Sequence, residues 1–158
     1  MPGTATLDII PINDAPQTTP VVLTPVAEDS GLRIITQTEL LNNATDIEAD
    51  ALTATALTIG NGTLVDNNDG TWSYTPAAND SSDVSFSYNI TDSTNNVAGV
   101  ATLDITPVND APTSTPVVLA PVTEDNARLI TQADLLLNAT DIDSPSLSLP
   151  TCKPQLAL

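Results

Sequence analysis

Apolar residues in the middle of the chain fall in short alternating runs. Trp72 and Tyr74 alternate with polar neighbours, as do Phe86 and Tyr88, so each pair lies on one face of its strand. The two pairs can face each other across a core. Runs of this kind, separated by turn residues, predict strands at Val21–Val26, Leu32–Ile35, Ala51–Ile59, Thr63–Val65, Thr71–Thr75, Val84–Thr91 and Val97–Thr106. Gly60-Asn61-Gly62 and Asp69-Gly70 read as hairpin turns. The helical signal is confined to Thr36-Gln37-Thr38-Glu39 before Leu40-Leu41, a capping box that opens about one turn. Seven short strands at this spacing predict an all-β fold, a Greek-key β-sandwich.

The pattern also repeats. Ala5-Thr6-Leu7-Asp8-Ile9 and Asn13-Asp14-Ala15-Pro16 return at an offset of 96 as Ala101-Thr102-Leu103-Asp104-Ile105 and Asn109-Asp110-Ala111-Pro112. Pro20-Val21-Val22-Leu23 returns as Pro116-Val117-Val118-Leu119, and Glu28-Asp29 as Glu124-Asp125. After one deletion the offset is 95, so Ile35-Thr36-Gln37 matches Ile130-Thr131-Gln132 and Ala44-Thr45-Asp46-Ile47 matches Ala139-Thr140-Asp141-Ile142. This self-similarity divides the chain. Residues 1–16 read as the last strand and linker of a preceding repeat, and 17–112 as one complete repeat. Residues 113–149 are the first part of a following, truncated repeat, and 150–158 a tail foreign to it. The phase of the repeats marks an internal fragment. The truncated repeat has no aromatic residue, so it is expected to be partly disordered or ordered only by docking.

Composition then removes most functional classes. The 158 residues carry 20 acidic and 3 basic side chains, a net charge of −17, with no His and one Cys, Cys152 in the tail. An internal disulfide, a Cys-rich zinc site and any His-based nucleophile pair are excluded. With Arg33, Arg128 and Lys153 as the only cations, a nucleic-acid or anionic-membrane surface is disfavoured. No 18-residue apolar run provides a membrane span, and no direct membrane insertion is expected. No residue constellation supports an enzyme. Asp outnumbers Glu 16 to 4 amid abundant Thr and Asn, the composition of a β protein whose loops hold carboxylates.

Those carboxylates gather where strands end. One group is the linker Pro107-Val108-Asn109-Asp110-Ala111-Pro112; a second is Asp46-Ile47-Glu48-Ala49-Asp50, echoed by Asp141-Ile142-Asp143; Glu28, Asp80 and Asp92 are dispersed. Alternating acidic residues on an extended or looping segment aim their oxygens the same way, and Ca²⁺ takes six to eight such ligands in flexible geometry. Asp66-Asn67-Asn68-Asp69-Gly70 has only a loose likeness to a calcium loop and reads as a hairpin turn.

The linker Asn-Asp-x-Pro, the Asp-x-Asp about thirty residues later and the early acidic pair resemble the cadherin repeat. More closely, the run from Ala101 to Pro112 is similar to cadherin-like tandem repeats of large secreted bacterial (RTX-type) adhesins. The resemblance covers residues 5–149. It implies a cadherin- and immunoglobulin-like sandwich, located outside the cell or on its surface, that serves as a calcium-rigidified extender in adhesion or biofilm formation. It implies one Ca²⁺ cluster built from Glu28, Asp80, Asn109 and Asp110 with Asp141 and Asp143. A second would use Asn13, Asp14, Asp46, Glu48 and Asp92. The chain departs from cadherins in carrying Pro11 and Pro107 where they have Asp, and Ala15 and Ala111 where they have Asn.

Electrostatics separates an ion-filled cluster from solvated turns. Two carboxylates about 4 Å apart repel by ~1 kcal/mol in water and ~4 kcal/mol at an effective dielectric of 20. A unit of this size has only on the order of 5–15 kcal/mol of stability. Either the carboxylates stay apart in solvent or a divalent ion sits among them, and the linker cluster favours the ion. The alternative reading is a carbohydrate- or protein-binding sandwich module. Expected partners are adjacent repeats of the same chain, a second copy, or a surface glycan or protein.

Overall fold

The structure is a computed structural model that describes residues 2–150. Residues 151–158, with Cys152 and nearly all of the foreign tail, lie outside the described residues. The chain forms two compact units, Met1–Val108 and Asn109–Leu158.

The first unit holds seven strands and one helical turn: β1 (Val21–Ala27), β2 (Arg33–Thr36), α1 (Gln37–Leu40), β3 (Thr53–Ile59), β4 (Thr63–Asp66), β5 (Thr71–Thr75), β6 (Val84–Thr91) and β7 (Asn96–Thr106). They make a four-stranded sheet in the order β1-β7-β6-β3 and a three-stranded sheet in the order β2-β5-β4. The pair closes as a β-sandwich. Alternation along β6 and β7 buries Val84, Phe86, Tyr88, Ile90, Ala101, Leu103 and Ile105 while their neighbours face solvent. From the other sheet Ile35, Trp72 and Tyr74 complete the core. Tyr74 and Phe86 meet edge to face, with ring centroids 5.4 Å apart, a geometry favoured by the ring quadrupoles.

β1 runs parallel to β7, with Val21 opposite Ala101 and Leu23 opposite Leu103. The register shifts between Leu23 and Val26. Pro25 lies in that gap, on the sheet's edge, where a missing backbone N–H is tolerated. β3 carries a similar irregularity between Thr55 and Thr58, where Ala56 has φ 54°. The strands thus follow the alternation closely, and two begin later than expected. β3 starts at Thr53 because Asp50-Ala51-Leu52 belongs to the preceding acidic loop, and β2 starts at Arg33.

α1 is anchored from three sides. Thr36 and Glu39 form the reciprocal capping box. The Gln37 side chain donates to Ala54 O and accepts from Ala54 N, both at 2.7 Å. Tyr88 Oη donates to Leu40 O at 2.7 Å. The Tyr88 ring lies over Gly99, its cross-strand partner, so closely that a Cβ there would fall 2.4 Å from the ring.

The second unit repeats the start of the first without its aromatic core. β8 (Thr113–Ser114) pairs with β9 (Ala139–Thr140), and α2 (Gln132–Leu135) carries its own capping box from Thr131 and Asp134. Among its described residues none is buried.

Gly99→Ala is expected to displace Tyr88 and lower the stability of the first unit by about 1–3 kcal/mol, read as a fall in urea midpoint at constant slope. An unchanged midpoint would show that the ring does not lie against Gly99.

Candidate functional site

At the pole where the chain enters the first unit, short acidic loops are built around their own carboxylates. Asp46 Oδ1 accepts from Glu48 N at 2.9 Å and from Asp50 N at 3.1 Å, and Ala49 turns the loop with φ 62°. Asp92, just after β6, accepts through Oδ1 from Thr94 N (2.7 Å) and Asn95 N (2.6 Å). Such bonds are the way Asp specifies a turn without secondary structure.

The entering segment ties these loops together. Gln17 pairs with Thr45. Asn13 Nδ2 donates to Asp92 Oδ2 at 2.9 Å, and Asp14 N donates to Glu48 Oε2 at 3.1 Å. Asn13, Asp14, Asp46, Glu48 and Asp92 therefore lie at one pole, joined through two adjacent linker residues. Asp92 is 4% exposed. Its pKa is held down to about 2, chiefly by the Asn95 backbone N–H and next by the Asn13 amide, against burial acting the other way.

Glu28 and Asp80 occupy the opposite pole. Glu28 is 4% exposed; its Oε1 accepts from Val108 N at 2.7 Å, and its N–H donates to Thr106 O at 3.0 Å. Asp80 lies in the loop before β6, whose first residue Val84 pairs with Leu103 near the end of β7. It accepts from Ser82 N (2.9 Å) and Asn61 Nδ2 (2.7 Å). Bonds from Ser82, then Asn61, hold its pKa below the usual carboxylate value. Asn61 reads from sequence only as a turn residue, because an amide between two glycines signals a turn and not its distant partner.

In the second unit, Asp110 N donates to Asp143 Oδ2 at 2.5 Å, and Asp141 Oδ1 accepts from Asp143 N (3.0 Å) and Ser144 N (2.8 Å). Asn109 Nδ2 donates to Asp110 O at 2.8 Å, as Asn13 Nδ2 does to Asp14 O at 3.1 Å. The arrangement of linker amide and loop carboxylate thus recurs in both units.

No cation balances these groups among the described residues. Arg33 pairs with Glu39 at 2.9 Å and Arg128 with Asp134 at 3.5 Å. Asp46 Oδ2 is buried without a hydrogen-bond partner. Among the described residues no group of three or more His, Cys, Asp or Glu is placed to hold a metal. The donor chemistry, hard oxygens from carboxylates, Asn amides and loop carbonyls, suits Ca²⁺ and not a softer metal. No helix of the described residues is long and apolar enough to cross a membrane.

The sequence model of one family, described as the Cadherin-like domain, matches residues 12–106 and again 108–155. No curated protein matches the chain. Solved structures similar to it include an endo-fucoidan hydrolase of glycoside hydrolase family 107 (MfFcnA4), with 23% identity over 66% of this chain and 16% of that one and a TM-score of 0.43. A second form of that hydrolase matches at 24% identity over 60% of this chain and 14% of that one, with a TM-score of 0.42. A related one, MfFcnA9, matches at 25% identity over 57% and 15%, with a TM-score of 0.40. The chain spans only about a seventh of their length. The expectation from sequence that no enzyme is involved is corrected by these structures, since all three are hydrolases. It rested on the side chains of this segment alone, and these polypeptides are far longer than the stretch that matches. Likenesses this distant identify no catalytic residue here.

The depressed Asp92 pKa gives a sign for acid unfolding. The carboxylate is held more tightly folded than unfolded, so its contribution is full above the ordinary Asp value of ~3.9 and is lost as pH falls toward about 2. In metal-free solution the urea midpoint is expected to fall across that window, less steeply in Asp92→Asn. Acid limbs of equal slope in the two proteins would count against these bonds.

Proposed function

The chain belongs to the cadherin-like domain family, whose members are typically extracellular, adhesion-type modules that generally bind Ca²⁺, and we propose that it is a calcium-rigidified extender of a bacterial adhesin. One observation carries this reading. The same bond, from a linker backbone N–H to a loop carboxylate, joins Asp14 to Glu48 and Asp110 to Asp143, with no cation among the described residues to neutralise either loop.

In this proposal Ca²⁺ supplies the missing charge. At the entry pole Asp46, Glu48 and Asp92 would contribute carboxylate oxygens, with Asn13 and Asp14 reaching in from the linker. Glu28 and Asp80 from one repeat, and Asn109, Asp110, Asp141 and Asp143 around the next linker, would form the second set. Asp46, Asp80, Asp92 and Asp141 already spend one oxygen on their own loops, which fixes those loops before the ion arrives. Asp46 Oδ2, buried and unpartnered, is the oxygen with most to gain. Binding would fix the linker against the loops and turn a string of repeats into a rod.

The same chemistry suits export, since an acidic chain in low-calcium cytoplasm stays loose for secretion and tightens in millimolar calcium outside. The setting of a large RTX-type adhesin in cell adhesion or biofilm formation follows from the resemblance of the linker sequence.

Calcium titration of the whole chain followed by calorimetry is expected to show binding heat. At about 100-fold excess over Kd, one site adds roughly 2.7 kcal/mol, a rise on the order of 10 °C in melting temperature. Asp46→Asn is expected to weaken the entry-pole site and leave the midpoint in chelator little changed. Absence of heat and of a melting shift in millimolar calcium would sink the proposal.

A further inference from the structure

Asn61-Gly62 is the single Asn-Gly pair in the chain; every other Asn is followed by a residue with a side chain. The fold fixes Gly62. Its φ is +87°, and a Cβ there would fall 2.6 Å from Thr75 O and 2.8 Å from the Tyr74 ring, so the position suits glycine and no larger residue. The pair lies in the turn between β3 and β4, and both residues are half-buried, so water reaches them.

Two hydrogen bonds clamp the Asn61 side chain. Its Oδ1 accepts from Gly62 N at 2.8 Å, and its Nδ2 donates to Asp80 Oδ2 at 2.7 Å. The first bond sets the Gly62 nitrogen beside the Asn61 side-chain carbonyl and polarises that carbonyl. The second keeps the amide from rotating away. A nitrogen free of side-chain hindrance, held against the group it would attack, has most of the orientation that ring closure needs. We propose that Asn61 is a site of self-modification, at which the Gly62 nitrogen displaces ammonia from the side chain and leaves aspartate or isoaspartate, released from Asp80.

The step balances with water alone. Gly62 N gives its proton to solvent as it bonds to Asn61 Cγ; the Cγ–Nδ2 bond breaks, and the departing nitrogen takes a proton and leaves as ammonia. The five-membered imide then adds one water. Opening at Cγ restores the ordinary backbone with a carboxyl side chain, and opening at the main-chain carbonyl gives isoaspartate. Either product has lost the amide that donated to Asp80 and carries a carboxylate instead, so attraction becomes repulsion. The Asn61 turn joins β3 of the four-stranded sheet to β4 of the three-stranded one, and Asp80 lies in the connection that returns from β5 to β6. Modification thus unlatches two of the crossovers between the sheets.

The test incubates the whole chain in neutral buffer with chelator and follows each Asn by peptide mass mapping, folded and unfolded in urea. Asn61 is expected to convert ahead of every other Asn, and several-fold faster in the folded chain than in urea. Asp80→Ala should bring the folded rate down to the rate in urea; if that variant does not fold, the comparison of folded and unfolded parent chain decides. Asn61→Asp, which reproduces the ordinary-backbone product, is expected to lower the melting temperature in chelator by roughly 5 °C, the scale of one lost hydrogen bond. Conversion no faster folded than in urea, a folded Asp80→Ala chain that converts like the parent, or an Asn61→Asp chain as stable as the parent overturns the proposal.

Discussion

Among the described residues, the acidic loops are held by backbone amide protons and not by cations. Asp46, Asp80, Asp92 and Asp141 each accept from N–H groups two or more residues further on, and bonds of this charge-assisted kind are roughly twice as strong as neutral ones. They shape the loops, but they do not reduce the net charge of −17. Most of the charge is placed at the ends of the sandwich, while the outward faces of β5 and β6 carry uncharged Ser, Thr and Asn and that of β7 carries one carboxylate, Asp104. The core can then form without opposing the repulsion directly. The repulsion is instead concentrated in the segments where repeats join, which is where a divalent cation has most effect.

The two units separate what local sequence specifies from what needs a core. The capping box forms in both, at Thr36 and Thr131. An Asn side chain donates to a Pro carbonyl in both, from Asn43 to Pro20 and from Asn138 to Pro116. The Arg pair to the capping residue is also present twice. Burial is not. Ile35 is fully buried because Trp72 lies across the ladder from it, and the second unit has no counterpart of that strand. Gln37 bridges both polar groups of Ala54 at 2.7 Å, whereas its counterpart Gln132 reaches only Leu147 O at 3.4 Å.

Much of this could be read from the chain because the informative signals are short-range or repeated. Alternation placed β5 and β6 to the residue, and the aromatic pairs proved to be core because Tyr74 and Phe86 stack across the two sheets. The acidic loops stood out because they occur twice. Contacts between distant segments were not legible. Nothing near Asn13 points to Asp92, 79 residues away, and nothing near Asn61 points to Asp80. The parallel pairing of β1 with β7 is likewise set by closure of the whole sandwich. Gly99 gives no local sign that it is the seat of a tyrosine ring.

That parallel pairing has a mechanical consequence. β1 begins beside the middle of β7, with Val21 opposite Ala101, and the two strands run together to the exit pole, with Thr106 opposite Ala27. Tension applied through the two ends of the unit therefore pulls β1 and β7 in opposite directions along their length. Their ladder bonds are loaded together in shear, whereas a hairpin pulled from its open end would break its bonds singly, in sequence. Glu28 closes the exit end of that ladder: its N–H holds Thr106 and its carboxylate holds Val108, on either side of Pro107, which has no N–H to offer. The end of the tension-bearing ladder and the start of the linker thus meet in one residue. Neutralising Glu28 would loosen that end, because its carboxylate fixes the path by which the strand becomes the linker.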